Sequence, residues 1–155
     1  MTFKTLLFNG PPKDGPIDLM YMPTRKEFFV TKDVVYSLVA DGSVLGTMAV
    51  PQGFTTDFAS IPWYARWLID SMGLCTYPAL LHDYLYDKRG ELYIKIADNR
   101  WRAFTNNQDI VKITMTREAV DAVFLAMLKT YGVRWWKRNL MWIAVSLFGR
   151  KQWRD

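Results

Sequence analysis

The hydrophobic pattern of this chain changes period just after Val50, and that change limits its fold more than any other feature. Before it, Phe28 to Ala40 and Val44 to Val50 are rich in Val, Phe and Tyr and flank Asp41-Gly42-Ser43. A Gly-containing loop between two such runs is a hairpin signal, and Pro51 closes the second run. Shorter apolar stretches at 3–8 and 17–22 are separated by Asn9-Gly10-Pro11-Pro12-Lys13-Asp14-Gly15-Pro16, which neither a helix interior nor a central strand accepts. After the change the spacing is helical. Ser60 before Ile61-Pro62 predicts an N-cap for a helix from Trp63 to about Met72. Thr76 is expected to cap a second helix, with Pro78 in its first turn, running to about Asp87. Thr116 opens a third that Gly132 ends, and Arg134 to Phe148 forms a last one ended by Gly149. Lys88 to Thr114 interrupts the helices and is expected to hold a small hairpin around Asp98-Asn99. The fold class expected is α+β, with a β-rich N-terminal half followed by three or four packed helices, in a single domain over residues 1–155.

Composition narrows the chemistry. Half of the 155 residues are hydrophobic and 23% are charged, the make-up of a packed chain rather than a disordered one. One cysteine, Cys75, excludes an intramolecular disulfide, and one histidine, His82, excludes metal sites that need two imidazoles. The N-terminus has only a three-residue apolar run, so no signal peptide is expected. The longest uncharged apolar stretch, Leu140 to Phe148, is far below the roughly 18 residues of a membrane-spanning helix.

Candidate functional residues lie where the amphipathic pattern breaks. On a helical wheel Asp121 has Leu128 roughly 20° to one side and Leu125 roughly 40° to the other, so it sits inside an apolar arc. His82 occupies the buried stripe of the 76–87 helix, with Asp83 on its edge. Asp57, within Gly53-Phe54-Thr55-Thr56-Asp57-Phe58-Ala59-Ser60-Ile61-Pro62, lies on a loop anchored by strand and helix, a favoured place for chemistry. An unpaired buried charge costs several kcal/mol, so these groups are expected to meet at the junction of the 53–60 loop with the 76–87 and 116–131 helices. Three readings stay open. Asp57 or Asp121 could orient His82 in a structural network. His82 with Asp57, Asp83 and Asp121 could form a catalytic acid–base set. The same four residues could hold a hard or borderline cation, Mg²⁺ or Mn²⁺. Ser60 as a nucleophile competes with its capping role, Cys75 has only a helix-entry context, and no Gly-rich phosphate loop occurs.

The run at 53–62, His82-Asp83-Tyr84-Leu85-Tyr86, the Ala119–Met127 segment and Leu147-Phe148-Gly149 together resemble a family of small bacteriophage and prophage proteins known as a domain of unknown function, number 1353. The resemblance spans about Val50 to Gly149 and is carried chiefly by the first two motifs. It implies a phage origin, and with it the host cytoplasm or the virion as location, but no activity that can be carried over residue by residue.

The positive charge is concentrated at one end. Residues 134–155 hold six basic residues and one acid, leaving 14 basic and 14 acidic residues elsewhere. Trp135, Trp136, Arg138 and Trp153 interleave rings with cations here, so they are candidate partner-binding residues. A phage or host protein is the expected partner ahead of a membrane surface or a nucleic acid, and a homo-oligomer is a further expectation. The competing plain reading puts Trp142, Val145 and Phe148 in the core and the cations on a solvated face. The functional expectation is thus a phage accessory protein with an Asp/His site, a small hydrolase using acid–base or divalent-metal chemistry. The alternative is a non-enzymatic virion or assembly component, or an inhibitor of a host protein, acting through the C-terminal helix.

Overall fold

A computed structural model describes residues 6–12, 18–58 and 73–154. Among these residues eight strands appear in chain order: β1 Leu6–Asn9, β2 Leu19–Met22, β3 Glu27–Val30, β4 Val34–Ala40, β5 Ser43–Val50, β6 Thr55–Thr56, β7 Glu91–Ile96 and β8 Ile110–Thr114. Interspersed and following are the helices α1 Thr76–Asp87, α2 Asn99–Arg102, α3 Arg117–Thr130, α4 Trp135–Phe148 and α5 Arg150–Arg154. The architecture is α+β, as expected. The helix read over Trp63–Met72, with its cap at Ser60, lies outside the described residues.

The β4–β5 hairpin follows from its turn residues. Ala40 pairs with Ser43, so the loop is two residues, Asp41 and Gly42, rather than three. Both have positive φ, 47° and 81°, the conformation of a type I′ turn whose twist matches the flanking strands. Burial along β4 alternates strictly, with Val34, Tyr36, Leu38 and Ala40 facing inward.

Phe28 to Ala40 is not one strand. The chain breaks at Thr31-Lys32-Asp33, and its two parts join different sheets. A small sheet has the order β2-β3-β6, and the larger five-stranded sheet has the order β1-β4-β5-β7-β8 with antiparallel pairing throughout. Two strands of the main sheet therefore come after α1. The segment expected to hold a hairpin at Asp98-Asn99 forms a much wider one, with Glu91 opposite Thr114 and Lys95 opposite Ile110. Asp98 instead caps α2 by accepting from the Arg100 N–H at 2.9 Å.

Two helix ends match their sequence signals and one start does not. Thr116 Oγ1 accepts from Ala119 N–H. Gly132, at φ 81°, closes α3 with paired bonds from Gly132 to Lys129 and from Val133 to Leu128, the Schellman arrangement. Thr76 does not cap α1. Cys75 occupies the cap position with helical dihedrals and no side-chain bond, because the turn at Gly73 brings the chain in already coiled, with Thr76 N–H on Gly73 C=O.

One cluster of buried side chains joins the inner face of the main sheet to Leu80, Leu81 and Leu85 of α1, to Val120, Phe124 and Leu128 of α3, and to Met141, Ala144 and Val145 of α4. Tyr36 fixes sheet to helix by donating its hydroxyl to Tyr77 C=O at 2.7 Å. The β7–β8 hairpin attaches to the rest of the sheet at Gly46, where β5 lies against β7. A Cβ there would run into the Lys95 carbonyl and Ile94 Cγ2, so only glycine permits the approach. Gly46→Val is accordingly expected to destabilise the protein by about 3 kcal/mol, read as a lower urea midpoint, whereas Gly42→Asn, at a turn open to solvent, is expected to cost well under about 1 kcal/mol.

Candidate functional site

Helix periodicity brings four polar residues together in the core. His82 and Tyr86 lie one turn apart on α1, Arg117 and Asp121 one turn apart on α3, and the two rows face each other. His82 is 1% exposed and Asp121 is 3% exposed. His82 Nε2 lies 2.9 Å from Asp121 Oδ1 and the Tyr86 hydroxyl donates to the same oxygen at 2.6 Å. Arg117 Nη1 stands 3.3 Å from Asp121 Oδ2 and donates to Ser146 C=O on α4 at 3.0 Å. A buried carboxylate is tolerable when its charge is matched and its lone pairs are filled, and Asp121 meets both conditions.

The imidazole is enclosed as well as bonded. Its ring centroid lies 4.2 Å from that of Tyr86 and 4.7 Å from that of Phe124, and its side chain has no exposed surface. With Nε2 on the carboxylate and two aromatic rings packed against it, the His82 side chain is enclosed away from solvent.

The loop residue goes elsewhere. Gly53 N–H bonds to Val30 C=O and Val30 N–H to Phe54 C=O, both at 2.9 Å, which ties the loop to β3. Thr56 Oγ1 accepts from Phe58 N–H at 2.9 Å and donates to the Asp83 carboxylate. Phe58 is buried against Phe28 with a φ of 55°, a left-handed conformation that costs a non-glycine residue about 1–2 kcal/mol. That reversal sends Phe58 into the core and leaves Asp57 exposed. Asp57 and Asp83 share the wall of an open cavity of about 250 Å³ with Glu27, Asp87, Tyr86 and Gln152.

The four expected site residues therefore occupy two places rather than one enclosed pocket. His82 and Asp121 form a sealed pair, Asp57 and Asp83 border an open acidic cavity, and the Tyr86 side chain stands between them. Among the described residues, no group of three or more His, Cys, Asp or Glu side chains is arranged to hold a metal ion. Sequence reasoning missed Tyr86, Arg117 and Thr56. The first two were signalled by their positions four residues from His82 and Asp121, the spacing at which helix neighbours touch. Thr56 had no local signal.

At the other end of the chain, Trp153 stacks edge-on against Tyr86 at 5.1 Å, so this candidate partner-binding residue is half-buried beside the network. Trp135 and Trp136 are exposed, and Arg138 is half-buried near Val133 C=O. Val145 is in the core, but Trp142 and Phe148 are exposed. The plain reading that put all three in the core holds for Val145 and is corrected for Trp142 and Phe148: α4 buries Met141, Ala144 and Val145, and Trp142 lies off that side.

Asp121→Ala removes the group on which His82, Tyr86 and Arg117 converge and is expected to cost about 3–5 kcal/mol by denaturant unfolding. Tyr86→Phe deletes one bond and is expected to cost about 1–2 kcal/mol. Burial pushes the Tyr86 phenol well above its ordinary value of 10, and the hydrogen bond and charge of Asp121 add to the rise. Burial likewise pushes Tyr131 up to about 12, with Tyr77 adding. Both phenols hold their protons more tightly folded than unfolded, so their contribution is fully present below about pH 10 and is lost as the pH rises through the folded values. The urea midpoint is expected to fall between pH 10 and 12, and less steeply in Tyr86→Phe. A flat midpoint over that interval contradicts the assignment.

A family model described as a protein of unknown function, DUF1353, matches residues 28–145, and the chain belongs to that family. The match begins at β3, well before the Val50 boundary of the resemblance seen in the sequence, and stops short of Leu147-Phe148-Gly149. No curated protein and no solved structure matches the chain.

Proposed function

We propose that this DUF1353 member is a bacteriophage accessory protein that works by binding, through the outward side of α4, and that its Asp/His network is a structural pin. One observation carries the reading. Among the described residues, fourteen large hydrophobic side chains are exposed, and seven of them lie on α4: Trp135, Trp136, Leu140, Trp142, Ile143, Leu147 and Phe148. Scattered exposed hydrophobics need no explanation, but half of them on one helix mark an interaction surface. The enclosure of His82 supports the same conclusion from the other side, since a general acid or base must reach the proton it moves. The phage assignment is supported by the motifs at 53–62 and 82–86, and it implies the host cytoplasm or the virion as location.

A small hydrolase is the second reading, favoured by the placement of Asp57 and Asp83 on one open cavity. Their carboxylates are oxygen donors of the kind Mg²⁺ or Mn²⁺ prefers. Two double variants separate the readings in a phage carrying the gene. Leu140→Asp/Leu147→Asp changes exposed positions and is expected to alter the unfolding free energy by under about 0.5 kcal/mol while reducing phage yield. Asp57→Asn/Asp83→Asn is expected to leave yield unchanged. The reverse pattern overturns the binding reading in favour of the hydrolase.

A further inference from the structure

Resting on the reading that the outward side of α4 is the working surface, we propose that its partner is the face of an anionic lipid bilayer, on which α4 lies flat. The first ground is the shape of the apolar sector. On a helical wheel Trp135, Trp142, Ile143, Trp136, Leu147 and Leu140 span about 160°, broken only by Asn139 and Ser146. The opposite side, Met141, Ala144 and Val145, is spent on the core. A seam that docks into another helix is a narrower stripe, whereas a broad convex sector fits a plane.

The second ground is charge. Residues 134–154 hold six basic residues and no acidic one, with Arg134, Lys137 and Arg138 at one end of α4 and Arg150 and Lys151 just past the other. A second copy of this chain in antiparallel pairing would set the first group against the second with nothing to neutralise either. The partner must therefore supply negative charge along with apolar depth.

The third ground is the tryptophans. Trp135 is 67% exposed and Trp136 40% exposed, and the Lys137 ammonium lies 5.3 Å from the Trp136 ring centre. Indole rings with cations beside them settle at the level of lipid headgroups, where the ring is in an apolar layer and its N–H stays wet. From Trp136 to Leu147 the sector is about 16 Å long, and among the described residues no helix is long and apolar enough to cross a membrane. The helix lies on the bilayer rather than through it.

Vesicle flotation of the full chain tests this, using phosphatidylcholine vesicles with and without phosphatidylglycerol. The chain is expected to float with the anionic vesicles, to shift its tryptophan emission to the blue, and to lose most binding in high salt. Each cation near such a surface is worth roughly fivefold in affinity, so Lys137→Glu/Lys151→Glu is expected to weaken binding by at least about tenfold. Leu140→Asp/Leu147→Asp is expected to abolish it, with circular dichroism showing the chain folded. A folded parent that stays down with anionic vesicles overturns the proposal, as does equal binding to neutral ones or full binding by the Asp variant. Should that variant fail to fold, the parent's flotation and the Lys variant still decide. Binding to single-stranded DNA in place of vesicles also overturns the lipid assignment while leaving α4 as the binding surface. Phage yield insensitive to the α4 variant instead removes the underlying reading.

Discussion

Helices α1, α3 and α4 are locked to one another by a single buried carboxylate. Asp121 sits on α3, accepts from two groups on α1, and pairs with Arg117, which reaches on to a backbone carbonyl of α4. Without these donors the charge would be untenable in the core; with them, any slide of one helix past another would break several charge-assisted bonds at once. Apolar packing alone gives most of the stability of such a junction but tolerates alternative registers, and a polar network accepts only one. No buried polar side-chain atom among the described residues lacks a partner.

This arrangement separates the two halves of the molecule's chemistry. The network holds the single imidazole away from solvent, while carboxylates, rings and cations lie at the surface. Those are segregated. Carboxylates gather where the 53–58 loop meets α1, and rings with cations gather on α4 and beyond it. Helix α5 brings the two near each other, since Trp153 rests on Tyr86 and Gln152 borders the acidic cavity.

Much of this was legible in the sequence, for identifiable reasons. Asp121 and His82 stood out because a wheel of 100° per residue puts them among leucines, and their partnership followed from the cost of leaving them alone. The β4–β5 hairpin and the ends of α3 were legible from residues with only local requirements: Gly42, Thr116 and Gly132. What was hidden depends on contacts between distant segments or on a single dihedral angle. Asp57 was expected beside His82, and only the left-handed turn at Phe58, which no spacing pattern encodes, sends it outward. The strand Glu91–Ile96 alternates strictly between exposed and buried residues, yet the sequence signalled only a small hairpin around Asp98-Asn99 in this segment, and no local pattern shows its pairing with Gly46 and Thr47 of the main sheet. The exposure of Trp142 was obscured because a tryptophan on a helix reads as core by default.

The way the last hairpin joins the main sheet has its own consequence. Strands β7 and β8 pair over five residues, but β7 meets β5 only at Gly46 with Ile96 and Thr47 with Lys95, with one further bond from Ala97 N–H to Leu45 C=O. A unit bound strongly within itself and by a short ladder to its neighbour separates as a whole before it frays. Amide protons of β7 and β8 should therefore exchange with solvent as one cooperative group, ahead of those in β4, so that the sheet opens along the line between β5 and β7 while the helices remain locked.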